Sequence, residues 1–113
     1  MQIKAERLSD TLIVRMKGEL DLHTAADFKA EVDRHFERSA RLRHVVLVMN
    51  EVDFVDSSGI GAILGRYKKL LGHGGRMVLA GLAPNVKKAF SFSGVDRVVQ
   101  IVPDEDGALE LVR

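Results

Sequence analysis

The chain contains no cysteine and no tryptophan, and Tyr67 is its only tyrosine. The absence of cysteine excludes disulfide bonds and thiolate metal sites, which is consistent with a reducing cytoplasm. With so few aromatic residues, a base-stacking platform for nucleic acid would depend on a few phenylalanines. The formal net charge is only +1, so there is no electrostatic reason to expect a nucleic acid or an anionic membrane as partner.

Long apolar segments are also missing from the sequence. The longest run, Val45–Met49, is far too short to cross a bilayer, and residues 1–7 lack the apolar stretch of a signal peptide. We therefore expect a cytoplasmic protein without a membrane partner. The sequence has 113 residues and shows no repeat or linker, so residues 1–113 are predicted to form one domain.

Hydrophobic periodicity predicts the order of the secondary-structure elements. Apolar side chains alternate within residues 11–17, which is typical of a half-buried strand, and Gly18 is predicted to end it. Ser9-Asp10 is a turn sequence, so residues 2–7 would form the other arm of a hairpin. The remaining pattern predicts strands at residues 45–49, 77–80 and 98–102, and helices at residues 23–39, after Asp56, after Pro84 and after Pro103.

This order, ββαβαβαβα, predicts an α/β domain. Strands that alternate with helices need crossover connections, which favour a parallel sheet. We therefore expect a mixed, largely parallel sheet of four to five strands that begins with an antiparallel hairpin. The helices should pack on this sheet.

The segment from Asn50 to Gly61 is the place where chemistry is most expected, because it joins a buried strand to a helix. The first turn of that helix has unpaired backbone N–H groups and the positive end of the helix dipole, and Asp56 or Ser57 can cap it. Gly59 and Gly61 remove bulk, so another backbone could approach closely. The same residues also fit an ordinary helix cap with glycines that only ease packing.

Catalytic and metal-binding patterns are not found. The stretch Val55–Gly59 lacks the first glycine of a G-x-S-x-G nucleophile elbow, and no two histidines have metal-ligand spacing. Gly72–Gly75 is not followed by the lysine of a P-loop. We therefore predict neither catalytic residues nor a metal, and a protein that is not an enzyme.

Several motifs together resemble the STAS domain family, and within it the bacterial anti-sigma factor antagonists of the sporulation type. They are GELDLHT at Gly18–Thr24, FVDSSGIG at Phe54–Gly61, LGRYK at Leu64–Lys68 and the late helix at Phe90–Val95. The match covers essentially the whole chain in order. Ser58 favours the sporulation type over the general-stress type, which more often has threonine there, whereas Leu22 replaces a usual histidine.

The resemblance implies a phosphorylation switch at Ser57. The unphosphorylated antagonist would bind an anti-sigma factor that is also a serine kinase, and this would free the sigma factor. Phosphorylation of Ser57 would end the binding, and a serine phosphatase would restore it. ATP and magnesium would be held by the kinase, so no cofactor is expected in this chain, which should be a monomer when free. The implied partner-binding residues are Asp21, His23, Asp56, Ser58, Gly59, Ile60 and Gly61.

A nucleotide-binding sensor module of the same family is the alternative. Its only support in the sequence is a helix N-terminus with nearby glycines, which is an unspecific signal for phosphate binding.

Overall fold

Five strands form one sheet in the order in which they occur along the chain, β1-β2-β3-β4-β5. The structure, a computed structural model, describes all residues from 1 to 113. β1 pairs with β2 in an antiparallel hairpin, and the other neighbours are parallel. The strands are β1 Gln2–Leu8, β2 Thr11–Leu20, β3 His44–Val55, β4 Met77–Ala80 and β5 Gln100–Val102; the helices are α1 Ala25–Arg38, α2 Ser57–Gly72, α3 Pro84–Ser93 and α4 Glu105–Val112. The predicted fold class and the order ββαβαβαβα are confirmed.

The two faces of the sheet carry separate apolar cores. Alternate residues of β2, among them Leu12 and Val14, face the larger core, which α1, α2 and α3 cover. Phe28 of α1 and Phe90 of α3 are fully buried in it. Ile13 points the other way, into a smaller core that α4 covers. This period of two is the reason why a short alternating sequence could be recognised as a strand.

Two strands are longer than the sequence predicts. β2 does not end at Gly18 but continues to Leu20, because Gly18, Glu19 and Leu20 stay paired with β3. Gly18 has a positive φ of 112°, and the register shifts between Gly18 and Glu19 without ending the pairing. β3 continues beyond Met49 to Val55 and stays paired with β2 although several of its later residues are exposed. The continuous apolar pattern ends where β3 leaves the core, but the backbone pairing of β3 with β2 continues beyond that point.

β5 is shorter than the sequence predicts. A 3-10 turn occupies Val95–Arg97, and the strand begins only at Gln100. Val98 and Val99 are β-branched apolar residues, which are typical of a strand, and Val99 is buried although it precedes the strand. Apolar character alone therefore misplaced the start of this strand.

The long β2 and β3 determine where the functional segments lie. Leu20 pairs with Val55 in the parallel register, so both strands end at the same edge of the sheet. The loop that leads from β2 to α1 and the start of α2 therefore meet at this carboxyl edge.

His44 is the first residue of β3, and its side chain is partly buried. Its Nδ1 accepts the Arg76 backbone N–H at 2.9 Å. Burial is the main cause that lowers the pKa of His44 below 6.5; the Asp10 carboxylate opposes this shift, and the Arg43 and Arg76 guanidinium groups add to it. Below pH 6.5 the unfolded chain therefore binds a proton at this imidazole that the folded protein binds less readily.

We expect the free energy of unfolding to contain the whole contribution of neutral His44 above pH 6.5. It should decrease as the pH falls from 6.5 towards the lower pKa of His44 in the folded protein. The slope from this residue is at most about 1.4 kcal/mol per pH unit. Urea denaturation between neutral pH and pH ~5 measures it. In His44→Asn, which keeps an acceptor for the Arg76 N–H, the slope should be reduced, and an unchanged slope would exclude His44 as its source.

Candidate functional site

Asp56 caps α2, and Ser57 is the first residue of the helix. The Asp56 backbone is extended, with φ −103° and ψ −174°, and its side chain accepts the Gly59 backbone N–H at 3.0 Å. Of the two caps that the sequence allows, the structure therefore uses Asp56. Ser57 is exposed, and its hydroxyl is left free because the carboxylate does the capping.

The Asp56 carboxylate also connects α2 to the loop after β2. Its second oxygen accepts the Leu22 backbone N–H at 3.1 Å. The Asp56 backbone N–H in turn donates to the Leu20 carbonyl at 3.2 Å. One side chain therefore fixes two segments that are distant in sequence, and the loop after β2 lies beside the start of α2.

Asp21 stabilises that loop from within. Its Oδ1 accepts the backbone N–H groups of His23 at 2.9 Å and Thr24 at 3.1 Å. Desolvation alone would raise the pKa of Asp21, but these two hydrogen bonds, with that of the Thr24 hydroxyl, lower it below its ordinary value. The carboxylate is therefore ionised at neutral pH, close to the start of α2.

The two glycines of the predicted site have different surroundings. Gly59 is buried, and a Cβ added there would lie 2.4 Å from the Leu20 carbonyl oxygen. Gly59 therefore lies beneath the surface and lets α2 pack on the end of β2, although the sequence places it among the partner contacts. Gly61 is exposed, and a Cβ added there would meet nothing within 4 Å.

The other predicted residues are accessible to a partner to different degrees. His23 is exposed, whereas Ser58 and Ile60 are half-buried, and Ile60 packs partly against the larger core. We call the residues of the site that are exposed or half-buried, without the buried Gly59, the Ser57 surface; it consists of Asp21, His23, Asp56, Ser57, Ser58, Ile60 and Gly61.

Sequence reasoning missed two exposed apolar side chains near this surface. Leu22 is 71% exposed and Phe54 is 46% exposed. Leu22 lies between two residues of the Ser57 surface, and Phe54 precedes Val55 at the end of β3. In the sequence, each is an apolar residue in a segment whose apolar residues follow no helix or strand period. That neither side chain is buried can be seen only once the fold is known.

Comparison with known proteins decides the family. The model of the STAS domain matches residues 2–108. The chain belongs to the STAS domain family. This STAS domain is 38% identical over 109 residues to the anti-sigma F factor antagonist of Paenibacillus polymyxa, covering 96% of this chain and 92% of that protein.

Solved structures of antagonists have the same fold. The unphosphorylated form of the anti-sigma factor antagonist SpoIIAA matches this STAS domain with a TM-score of 0.79 and 25% identity, covering 99% of this chain and 98% of that chain. The phosphorylated form of the Bacillus protein SpoIIAA matches with a TM-score of 0.77 and 28% identity, covering 99% and 100%. The relatives place this STAS domain among the anti-sigma factor antagonists. None of its helices has the length and apolar character needed to cross a membrane.

Proposed function

We propose that this anti-sigma factor antagonist works by partner switching through Ser57. The unphosphorylated protein binds an anti-sigma factor that is also a serine kinase, and the sigma factor is released. The kinase, with ATP and magnesium in its own site, then phosphorylates Ser57, and the antagonist dissociates until a serine phosphatase removes the phosphate. The interface is the Ser57 surface, and the switch operates in the cytoplasm.

The observation that carries this proposal is the separation of roles between Asp56 and Ser57. Asp56 makes the cap and the link to Leu22, whereas Ser57 is exposed and holds nothing in place. A phosphate on Ser57 therefore changes the surface without removing a bond that the fold needs. This separation is what a binding switch requires.

The energies support the same conclusion. A phosphoserine adds a charge of about −1.5 to −2. The N-terminus of α2 favours such a charge by about 0.3–1 kcal/mol, and the nearby carboxylates of Asp21 and Asp56 oppose it. If a partner buries the same charge without a counterion, the binding free energy of the complex is weakened by about 3–5 kcal/mol. Phosphorylation should therefore hardly change the stability of the folded domain, whereas the complex with the kinase should dissociate.

The nucleotide-binding alternative is less favoured by the geometry. The Gly59 N–H is already taken by the Asp56 carboxylate. The ionised Asp21 stands beside the same turn and would repel a nucleotide phosphate. Calorimetry with GTP and ATP on the free protein separates this alternative from the switch.

Phosphate mapping tests the identity of the acceptor. The protein is incubated with its anti-sigma kinase and ATP, and the modified peptide is sequenced by mass spectrometry. We expect one phosphate, on Ser57, because Ser57 is exposed and Ser58 is half-buried. Ser58→Ala should be phosphorylated as the unchanged protein is, and Ser57→Ala should not. Phosphate on Ser58 of the unchanged protein would contradict the assignment.

The sporulation type is proposed for the same protein. Ser58 and the relatives from Paenibacillus polymyxa and Lysinibacillus sphaericus, both anti-sigma F factor antagonists, support it. A pull-down from the native cell extract with Ser57→Ala as bait identifies the partner. Recovery of a general-stress kinase instead of a sporulation kinase would reassign the type and leave the switch unchanged.

A further inference from the structure

The loop from β2 to α1 carries an exposed leucine on a backbone that hydrogen bonds hold in place. The Asp21 N–H donates to the Thr24 hydroxyl oxygen at 2.9 Å, and the Leu22 N–H donates to the Asp56 carboxylate at 3.1 Å. The N–H groups of His23 and Thr24 both donate to the Asp21 carboxylate. Four consecutive N–H groups are therefore accepted by side chains. The Leu22 side chain takes no part in this network, although the network fixes the backbone that carries it.

The order of this loop distinguishes Leu22 from an ordinary surface leucine. Single exposed leucines are common on protein surfaces and need no partner. Leu22 lies in neither a helix nor a strand, and its side chain is exposed although the loop around it is tied down. A loop that is already ordered loses less conformational entropy when a partner binds it. Leu22 is therefore a preorganised apolar group.

The Ser57 surface itself offers little apolar area to a partner. Ile60 is its only large apolar residue, and it is half-buried against the larger core. Interfaces usually gain most of their affinity from a few large side chains near the centre, where charged residues are depleted. Leu22 lies between Asp21 and His23, so a partner that covers the Ser57 surface also meets Leu22. It is the most exposed large apolar side chain at this edge of the sheet.

Phe54, the other exposed apolar side chain at this edge, points away from α2. Its neighbour Val55 belongs to the larger core, which α2 covers. Successive side chains of a strand point to opposite faces of the sheet. Phe54 therefore lies on the face opposite α2, and a partner that docks on the start of α2 can contact Leu22 without contacting Phe54.

We propose that Leu22 is the apolar anchor of the kinase interface and enters an apolar pocket of the anti-sigma kinase. This inference rests on the proposed function, because it extends the interface at the Ser57 surface by one residue. Asp21 and His23 form the polar rim on either side of the anchor. Asp56 accepts the Leu22 N–H and precedes Ser57, so the anchor and the switch residue are held together by one carboxylate. Leu22 provides affinity, whereas Ser57 controls it.

The test is the affinity of Leu22 variants for the anti-sigma kinase that the Ser57→Ala pull-down recovers, measured by isothermal titration calorimetry. Leu22→Ala should bind about thirtyfold more weakly, because less apolar surface is buried in the complex. Leu22→Asn, which is similar in size but polar, should lose at least as much affinity, whereas the apolar Leu22→Met should stay within about threefold of the unchanged protein. The melting temperatures should not change, because the side chain is exposed and every variant keeps the N–H that Asp56 accepts.

Leu71→Ala is the matched control. Leu71 is 56% exposed and lies near the end of α2. It is about 21 Å from Ser57 along the helix at ~1.5 Å per residue. The control removes the same atoms from an exposed leucine outside the Ser57 surface. Its affinity for the kinase should stay within about twofold of that of the unchanged protein.

Three results would overturn the proposal. They are full affinity in Leu22→Ala, an equal loss of affinity in Leu71→Ala, and self-association of the free protein that Leu22→Ala abolishes, which would assign the side chain to a second copy. The switch is measured separately, as the effect of Ser57 phosphorylation on the affinity of each variant. If phosphate dissociates the complex but Leu22→Ala binds normally, only the anchor is wrong. If Leu22→Ala binds weakly but phosphate has no effect, only the switch is wrong.

Discussion

Ser57→Asp should weaken binding to the anti-sigma kinase by about a hundredfold, whereas Ser57→Ala should stay bound to the kinase in the presence of ATP. The aspartate places a negative charge in an interface that provides no counterion, and an unpaired buried charge costs about 3 kcal/mol or more, which is about two factors of ten in affinity. Alanine removes the phosphate acceptor without adding charge. Surface plasmon resonance with the immobilised kinase measures both affinities.

The control places the same charge elsewhere. Ser91 is an exposed serine near the end of α3, so Ser91→Asp changes the net charge equally without touching the Ser57 surface. Its affinity should remain within about twofold of the unchanged protein, because distant exposed charges are screened by salt. If Ser57→Asp bound as tightly as Ser57→Ala, charge at this position would not be the switch.

Alanine at Gly59 and at Gly61 should have opposite effects on stability. In Gly59→Ala the new methyl group would lie 2.4 Å from the Leu20 carbonyl oxygen and 2.8 Å from the Leu20 Cγ, so α2 or the end of β2 must shift. We expect the free energy of unfolding to fall by about 1–3 kcal/mol, as for other overpacked sites. In Gly61→Ala the methyl group meets no atom within 4 Å, and the helix gains about 0.5–1 kcal/mol.

Gly61→Ala should nevertheless bind the kinase more weakly. The added methyl group lies on the Ser57 surface. In the complex it should keep the kinase backbone away from the backbone of α2, which could otherwise approach it closely. Urea denaturation and the binding assay, done on both variants, give stability and affinity side by side. A stabilised Gly61→Ala that bound with unchanged affinity would remove Gly61 from the interface.

The sequence predicts the fold well because its signals are local. Alternation in β2 and the capping sequence before α2 are each contained in a few residues, and the order of elements follows from them. The extension of β3 to Val55 could not be predicted in this way. It depends on backbone pairing with β2, which continues after the apolar pattern has ended.

The candidate site could be predicted in part for the same reason. Ser57 and Asp56 are adjacent in sequence, so the start of α2 was recognisable. The bond from the Leu22 N–H to the Asp56 carboxylate and the contact of Gly59 with Leu20 join distant segments. Such contacts depend on the register of β2 against β3, which local patterns do not determine.

The surroundings of His44 illustrate the same limit. Arg43 and Arg76 each precede a different strand, and in the sequence they read as isolated surface charges. Only the parallel pairing of β3 with β4 brings them together around His44. The lowering of the His44 pKa by these two arginines therefore depends on contacts that no local pattern contains.

We expect a phosphate on Ser57 to disrupt the complex and not the domain. The dissociation constant of the purified Ser57 phosphoprotein for the anti-sigma kinase, measured beside that of the unmodified protein, tests this expectation. We expect the phosphoprotein to bind at least a hundredfold more weakly, in line with a loss of about 3–5 kcal/mol, while the two melting temperatures stay within a few degrees of each other. Equal dissociation constants for the two forms would contradict a switch at Ser57.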